Sequence, residues 1–144
     1  MPGKFRILED EATADLAFEA YGKNLEKMYE NSALALFSIM TDLEDVEVRE
    51  RDLIVVEAED REALLLDFLN ELIYRREVDR VLFSDFKCDI EETGEGLKIS
   101  ADCSGEKFDR SEHEAKVEVK AVTYFGMEIE EEGGSWRAKV TLDL

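Results

Sequence analysis

Two stretches of helical periodicity, set among segments of β-type alternation, constrain this chain more than any other feature. Leu25, Met28, Tyr29, Ala33, Leu36, Phe37 and Met40 recur at the spacing of one helix face. Asn24 stands where an N-cap is needed, and the helix is expected to end near Met40 or Thr41. A second helix is expected from Asp60, its cap, to about Arg75. Its apolar face is wider: Leu64, Leu65, Phe68, Leu69, Leu72 and Ile73, with Asp67, Asn70, Glu71 and Arg75 on the other side. Stripes of this kind are core-facing surfaces, and the Met and aromatic members are read as core.

Around these helices the chain reads as strands. Phe5 to Leu8 and Asp15 to Tyr21 form short strands about a turn, with Leu16, Phe18 and Ala20 alternating in the second. Asp45 to Ala58 reads as two pieces, Val46 and Val48 and then Leu53 to Val56, joined at Glu50-Arg51-Asp52 in a hairpin. Further strands are expected over Val81 to Glu91, Leu97 to Ser104, Val117 to Glu130 and Trp136 to Leu144, with turns at Gly94/Gly96 and Gly133-Gly134. There is no repeat, linker or low-complexity tract, so 144 residues imply one domain, 1–144. The expected class is α+β: two amphipathic helices packed on a largely antiparallel sheet.

Charge narrows the function. Eighteen Lys and Arg against thirty-seven Asp and Glu leave a net charge of −19. Such a surface repels phosphate backbones, whose binding depends on Lys and Arg displacing counterions, so direct nucleic-acid binding is not expected. It suits basic protein partners, hard metal ions or plain solubility. No apolar run approaches the ~18 residues of a membrane span, and the opening Met-Pro-Gly-Lys-Phe-Arg has no apolar signal core, so a cytoplasmic, membrane-free protein is expected. Gln is absent and Asn scarce in a Glu-rich chain, a weak thermophile signal.

The inventory of reactive residues is short. His113 is the single histidine, which removes zinc helices and multi-histidine metal sites. There is no nucleophile-elbow sequence, P-loop or Gly-x-Gly-x-x-Gly, so nothing specific supports an enzyme. His113 is read as a loop residue holding the segment from Phe108 to Lys116. Cys88 and Cys103 lie 15 residues apart about Thr93-Gly94-Glu95-Gly96, and a hairpin centred between 95 and 96 sets them opposite each other. That places a disulfide within reach, although two buried free thiols are expected in a reducing cytosol.

One polar grouping remains. In the last strand Trp136, Ala138, Val140 and Leu142 share the apolar face, which puts Arg137, Lys139, Thr141 and Asp143 on the polar one. Leu144 follows Asp143 and adds the terminal carboxylate; Asp15 lies on the polar face of its own strand. If the first and last strands pair, Asp15, Asp143 and the terminus of Leu144 converge on one spot. Three such anions call for a cation, and hard oxygens favour Ca²⁺ or Mg²⁺. A solvated chain end is the other reading of the same residues.

From Phe5 to Leu144 the chain resembles the archease family. The resemblance is carried by Thr13-Ala14-Asp15, Ala33-Leu34-Ala35-Leu36-Phe37 and the run Leu64 to Tyr74. It continues through Gly105-Glu106-Lys107-Phe108, His113-Glu114 with Lys116, Lys120-Ala121-Val122-Thr123-Tyr124, and the closing Asp143-Leu144. What it implies is an accessory protein, not an enzyme, for the RtcB-type RNA ligase of tRNA splicing and RNA repair. Such a protein speeds guanylylation of the ligase's active-site histidine and so permits multiple turnover. The resemblance also implies a bound divalent cation, calcium, with magnesium or manganese as alternatives, held by Asp15, Asp143 and Leu144. Lys116, Lys120 and Tyr124 are candidate partner contacts. The chain departs from the family at Ala12, where members usually carry His, at Phe125, where Tyr-His often follows Val-Thr, and at Ala115, where Pro is usual. Two other readings stay open: a metal-independent chaperone or scaffolding module acting through the acidic surface, and a carboxylate-metal hydrolase.

Overall fold

The computed structural model describes residues 3–9 and 16–144. Along the chain come β1 (Phe5–Glu9), β2 (Leu16–Gly22), α1 (Leu25–Met40), a one-turn 3-10 helix (Leu43–Asp45), β3 (Glu50–Ala58), α2 (Arg61–Val78), β4 (Val81–Glu92), β5 (Leu97–Lys107), β6 (Ala121–Glu132) and β7 (Ser135–Asp143). The class is α+β. Its strands, however, make two antiparallel sheets: a four-stranded one ordered β1-β2-β7-β6 and a three-stranded one ordered β3-β5-β4.

Both helices start where their caps dictate. Asn24 accepts the amide of Lys27 at 2.8 Å, and Asp60 that of Ala63 at 2.8 Å, contacts worth about 1 kcal/mol each. α1 touches β2 and β1 of one sheet and β4 of the other, so it is buried on nearly every side. A single stripe in the sequence underestimates that burial, since Glu30 and Ser32 go inside as well. Ser32 returns its hydroxyl to the Met28 carbonyl, and the Glu30 carboxylate takes the Cys88 amide at 2.9 Å and Lys27 Nζ at 3.1 Å. α2 lies against β6 on one sheet and β3, β5 and β4 on the other. The core fills the space between, with Tyr29, Phe37, Phe68 and Phe83 fully enclosed.

Side chains from the helices finish two strand edges. Besides Glu30 at Cys88 on β4, Asn70 of α2 mimics a neighbouring strand. Its amide nitrogen donates to the Val122 carbonyl at 3.2 Å, and its oxygen accepts the Val122 amide at 2.8 Å. Pairing both backbone groups caps the β6 edge at Val122.

Three expectations change. Glu50-Arg51-Asp52 is not a turn: those residues open the continuous strand β3, and Val46 and Val48 precede it outside any strand. The run Leu53 to Val56 looks uniformly apolar, yet Ile54 faces the core while Leu53 and Val55 face solvent. β6 begins at Ala121, not Val117, because 113–120 cross from the end of α1 to the sheet without strand pairing. The hairpin of β4 and β5 pairs Glu92 with Leu97 and Cys88 with Ala101, so Cys103 faces Phe86 and not Cys88. The thiols sit diagonally on one face, both free and buried. Burial pushes both up, Cys103 to about 12.

Candidate functional site

β7 is the central strand of its end of the molecule. It pairs with β2 through Leu16↔Leu142 and with β6 through Ala121↔Asp143. Alternation works as the sequence predicts: Ala138, Val140 and Leu142 are fully buried and Asp143 is exposed. The chain end is tied down, because the amide of Lys120 donates to the Asp143 carbonyl at 2.9 Å. Among the described residues, the side-chain carboxylate of Asp143 enters no hydrogen bond or ion pair. Asp15 lies outside the described residues, as do Asp10, Glu11, Ala12, Thr13 and Ala14. What is described is its chain neighbour: Leu16 stands opposite Leu142, the residue before Asp143.

The expected partner contacts divide. Lys120 and Tyr124 flank the first rungs of β6 beside Asp143, and both are exposed. Lys116 is held at the other end of the connecting segment, at the C-terminus of α1. Its amide donates to the Met40 carbonyl and its ammonium to the Ser38 carbonyl at 3.0 Å. α1 has no basic residue in its last turn, so Lys116 supplies from outside the positive charge that its carbonyl end favours.

A second polar cluster was not singled out in the sequence. Glu106 of β5 is buried and receives the Glu47 amide at 2.7 Å, His113 Nε2 at 2.9 Å and Arg49 Nε at 3.1 Å. The Asp109 amide donates to His113 Nδ1 at 2.9 Å, which fixes the neutral ring with its proton on Nε2, directed at Glu106. The Glu47 amide first, then His113, hold the Glu106 carboxyl below the ordinary range, against the effect of desolvation. Glu106, Glu112 and His113 bring ligand atoms near one another, but both nitrogens of His113 are already engaged, leaving no free lone pair for a metal. The loop from Phe108 to Lys116 is thus held by His113, as the sequence suggests. The signal for its partner was there, an acid at the end of an inward-facing strand pattern, but nothing local tells Glu106 from the other thirty-six acids.

On the outer face of the four-stranded sheet, Glu19 of β2 is clamped by Arg6 of β1 and Arg137 of β7, each at 2.8 Å, and Arg137 reaches on to Glu130 of β6 at 2.6 Å. Desolvation acts to raise the Glu19 carboxyl, but bonds from Tyr21, Arg6 and Arg137 outweigh it and set it below the usual value. These charges are fully consumed by one another.

The arrangement is therefore that of a small two-sheet α+β protein with an exposed carboxylate, Asp143, at its C-terminal corner. The family is settled by comparison: the Archease protein family (MTH1598/TM1083) matches residues 5–144. This chain belongs to that family. It is 44% identical to protein archease of Methanothermobacter thermautotrophicus over 93% of this chain and 95% of that one. Identity to protein archease of Pyrococcus abyssi is 42%, over 93% and 95%. The solution structure of protein 1598 of Methanobacterium thermoautotrophicum superposes with a TM-score of 0.87 at 42% identity, covering 98% of this chain and 99% of that one. A Thermotoga maritima crystal structure, described as an archease and possible chaperone, shares the fold with a TM-score of 0.61 at 23% identity, covering 95% and 96%. No helix among the described residues is long and apolar enough to cross a membrane.

Proposed function

We propose that this chain is an accessory factor of an RtcB-type RNA ligase, promoting guanylylation of the ligase and its multiple turnover, and is not itself an enzyme. In this reading Asp15, Asp143 and the terminal carboxylate of Leu144 hold a divalent cation, calcium or else magnesium or manganese. The observation that carries it is the pairing of β2 with β7 at Leu16↔Leu142, which sets the residue after Asp15 opposite the residue before Asp143.

The donor set fits such an ion. It consists of hard carboxylate oxygens with no imidazole or thiolate, and the Asp143 side chain spends none of its lone pairs on a described neighbour. When bound, the cation neutralises these anions and offers positive charge to phosphate oxygens. The chain's own residues do the rest. β7 presents Asp143 at a fixed exposed position, the Lys120 amide keeps the terminus from fraying, and the −19 charge steers the molecule towards a basic surface. The same charge argues against direct nucleic-acid binding. With its acidic rim docked near the ligase's nucleotide site, the corner helps to place the ion that guanylylation needs.

The test is a guanylylation time course of a cognate ligase with and without this protein, repeated with Asp15→Ala and Asp143→Ala. Acceleration by the wild-type chain, lost in both variants while binding persists, is the expected result. No acceleration by the wild-type chain overturns the reading. Acceleration surviving both changes favours a metal-independent scaffold, and turnover by the purified chain alone favours a carboxylate-metal hydrolase.

A further inference from the structure

Strand β6 does not run straight beside β7. Thr123 pairs with Thr141 and Glu128 with Lys139, so four residues, Tyr124 to Met127, stand opposite Val140 alone. Gly126 at φ 71° makes the excursion possible. Tyr124 is 53% exposed and Phe125 84%, the latter the most exposed large apolar residue among those described. The bulge adds nothing to the core through Phe125. It stands opposite Val140, three residues along β7 from Asp143, about 10 Å along the sheet.

The surroundings are acidic. α2 packs on β6, where Asn70 is bonded to Val122, and Glu59, Asp60, Glu62 and Asp67 precede Asn70 on that side of the chain. Partial desolvation, and then their charge, raise the Tyr124 phenol above its usual value. An aromatic pair that projects into water beside an acidic helix flank matches the anatomy of a binding hot spot with a charged rim.

We infer that the Tyr124-Phe125 bulge is a docking knob for a protein surface that offers an apolar pocket rimmed by Lys and Arg. Charge selects the occupant. A second copy of this chain would set the same acidic patch against itself across a twofold axis. RNA and anionic lipid carry the sign that the carboxylates repel. A basic protein is attracted by the rim and gains the burial of Phe125. The identity of that protein as the ligase rests on the function proposed above. The knob would then set the distance at which the Asp143 corner meets its partner.

The experiment is a calorimetric titration of the cognate ligase with the full chain, its Phe125→Ala and Asp67→Lys variants, and Leu53→Ala as a control. Leu53 is 62% exposed on the other sheet. Phe125→Ala is expected to weaken binding about 30-fold with an unchanged thermal midpoint. Asp67→Lys should weaken it less and flatten its salt dependence, and Leu53→Ala should leave it as it was. Equal affinity for the wild-type chain and Phe125→Ala overturns the docking knob alone, as does an equal loss in Leu53→Ala. Conversion of a self-associated wild-type chain to monomer by Phe125→Ala also overturns it, in favour of a second copy. Failure of the wild-type chain to bind the ligase at all overturns the function proposed above, and this assignment with it.

Discussion

Two carboxylate sites on this molecule look alike in the sequence and differ in the fold. At Glu106 every lone pair that matters has a partner within the chain: the Glu47 amide, His113 Nε2 and Arg49. At Asp143 the backbone is anchored but the side chain is not engaged by any described residue. The difference teaches how to separate architecture from function. A buried acid whose bonds close on themselves holds a loop, whereas an exposed carboxylate with no described partner stays available, and it is the function proposed above that assigns it a ligand.

The largest effect that would sharpen this contrast is at Glu106. Replacing it by Ala strands the His113 Nε2 proton and the Glu47 amide, a loss of about 3 kcal/mol, or roughly 6–12 °C in thermal midpoint for a chain of this size. Calcium affinity should not change. Loss of calcium binding with an intact midpoint would reverse the roles assigned to the two sites.

Next comes the cation itself. Calcium at about 100 times its Kd should stabilise the wild-type chain by about 2.7 kcal/mol, visible as a midpoint shift of roughly 5–10 °C. In Asp143→Asn that shift should vanish, while in chelator the variant should melt within about 1–2 °C of wild type, as an exposed substitution does. A variant already destabilised in chelator would make Asp143 structural like Glu106.

A smaller effect is expected at Asn70, which satisfies both backbone groups of Val122. Asn70→Ala should cost about 1–2 kcal/mol by denaturant titration and expose the β6 edge, read as concentration-dependent association. Unaltered stability would mean that water replaces the amide at no cost.

The smallest effect concerns acid. Because the folded Glu106 carboxyl sits below its unfolded value, its contribution is present above the unfolded carboxylate range and is lost as pH falls through the folded value. Glu106→Gln should therefore narrow its stability deficit relative to wild type as pH drops below about 4.3. Comparing the two proteins cancels the relief of repulsion common to all other acids. A deficit constant from pH 7 to pH 3 would show that Glu106 is not preferentially ionised in the fold.

Much of this molecule follows from local sequence. The caps Asn24 and Asp60, the period of α2, the turns at Gly94/Gly96 and Gly133-Gly134, and the inward set Ala138, Val140 and Leu142 each depend on neighbours a few residues away. So does the placing of Asp143 on the polar face of its strand. Family resemblance named the site, but the alternation of β7 had already marked the same residue.

Other features required distant parts of the chain to meet. Partition of the strands into two sheets, burial of α1 on nearly all sides, and the diagonal placing of Cys88 and Cys103 depend on register and on which strands find each other. The bulge that turns Phe125 outward is of this kind: Tyr124 to Met127 read as one more alternating strand until β7 offers a single residue against them. His113 likewise found Glu106 only through folding of the loop between them. Backbone periodicity is written in short stretches of sequence. Which charges are consumed and which are left over is decided only when the strands come together, because a carboxylate's fate depends on what stands across from it.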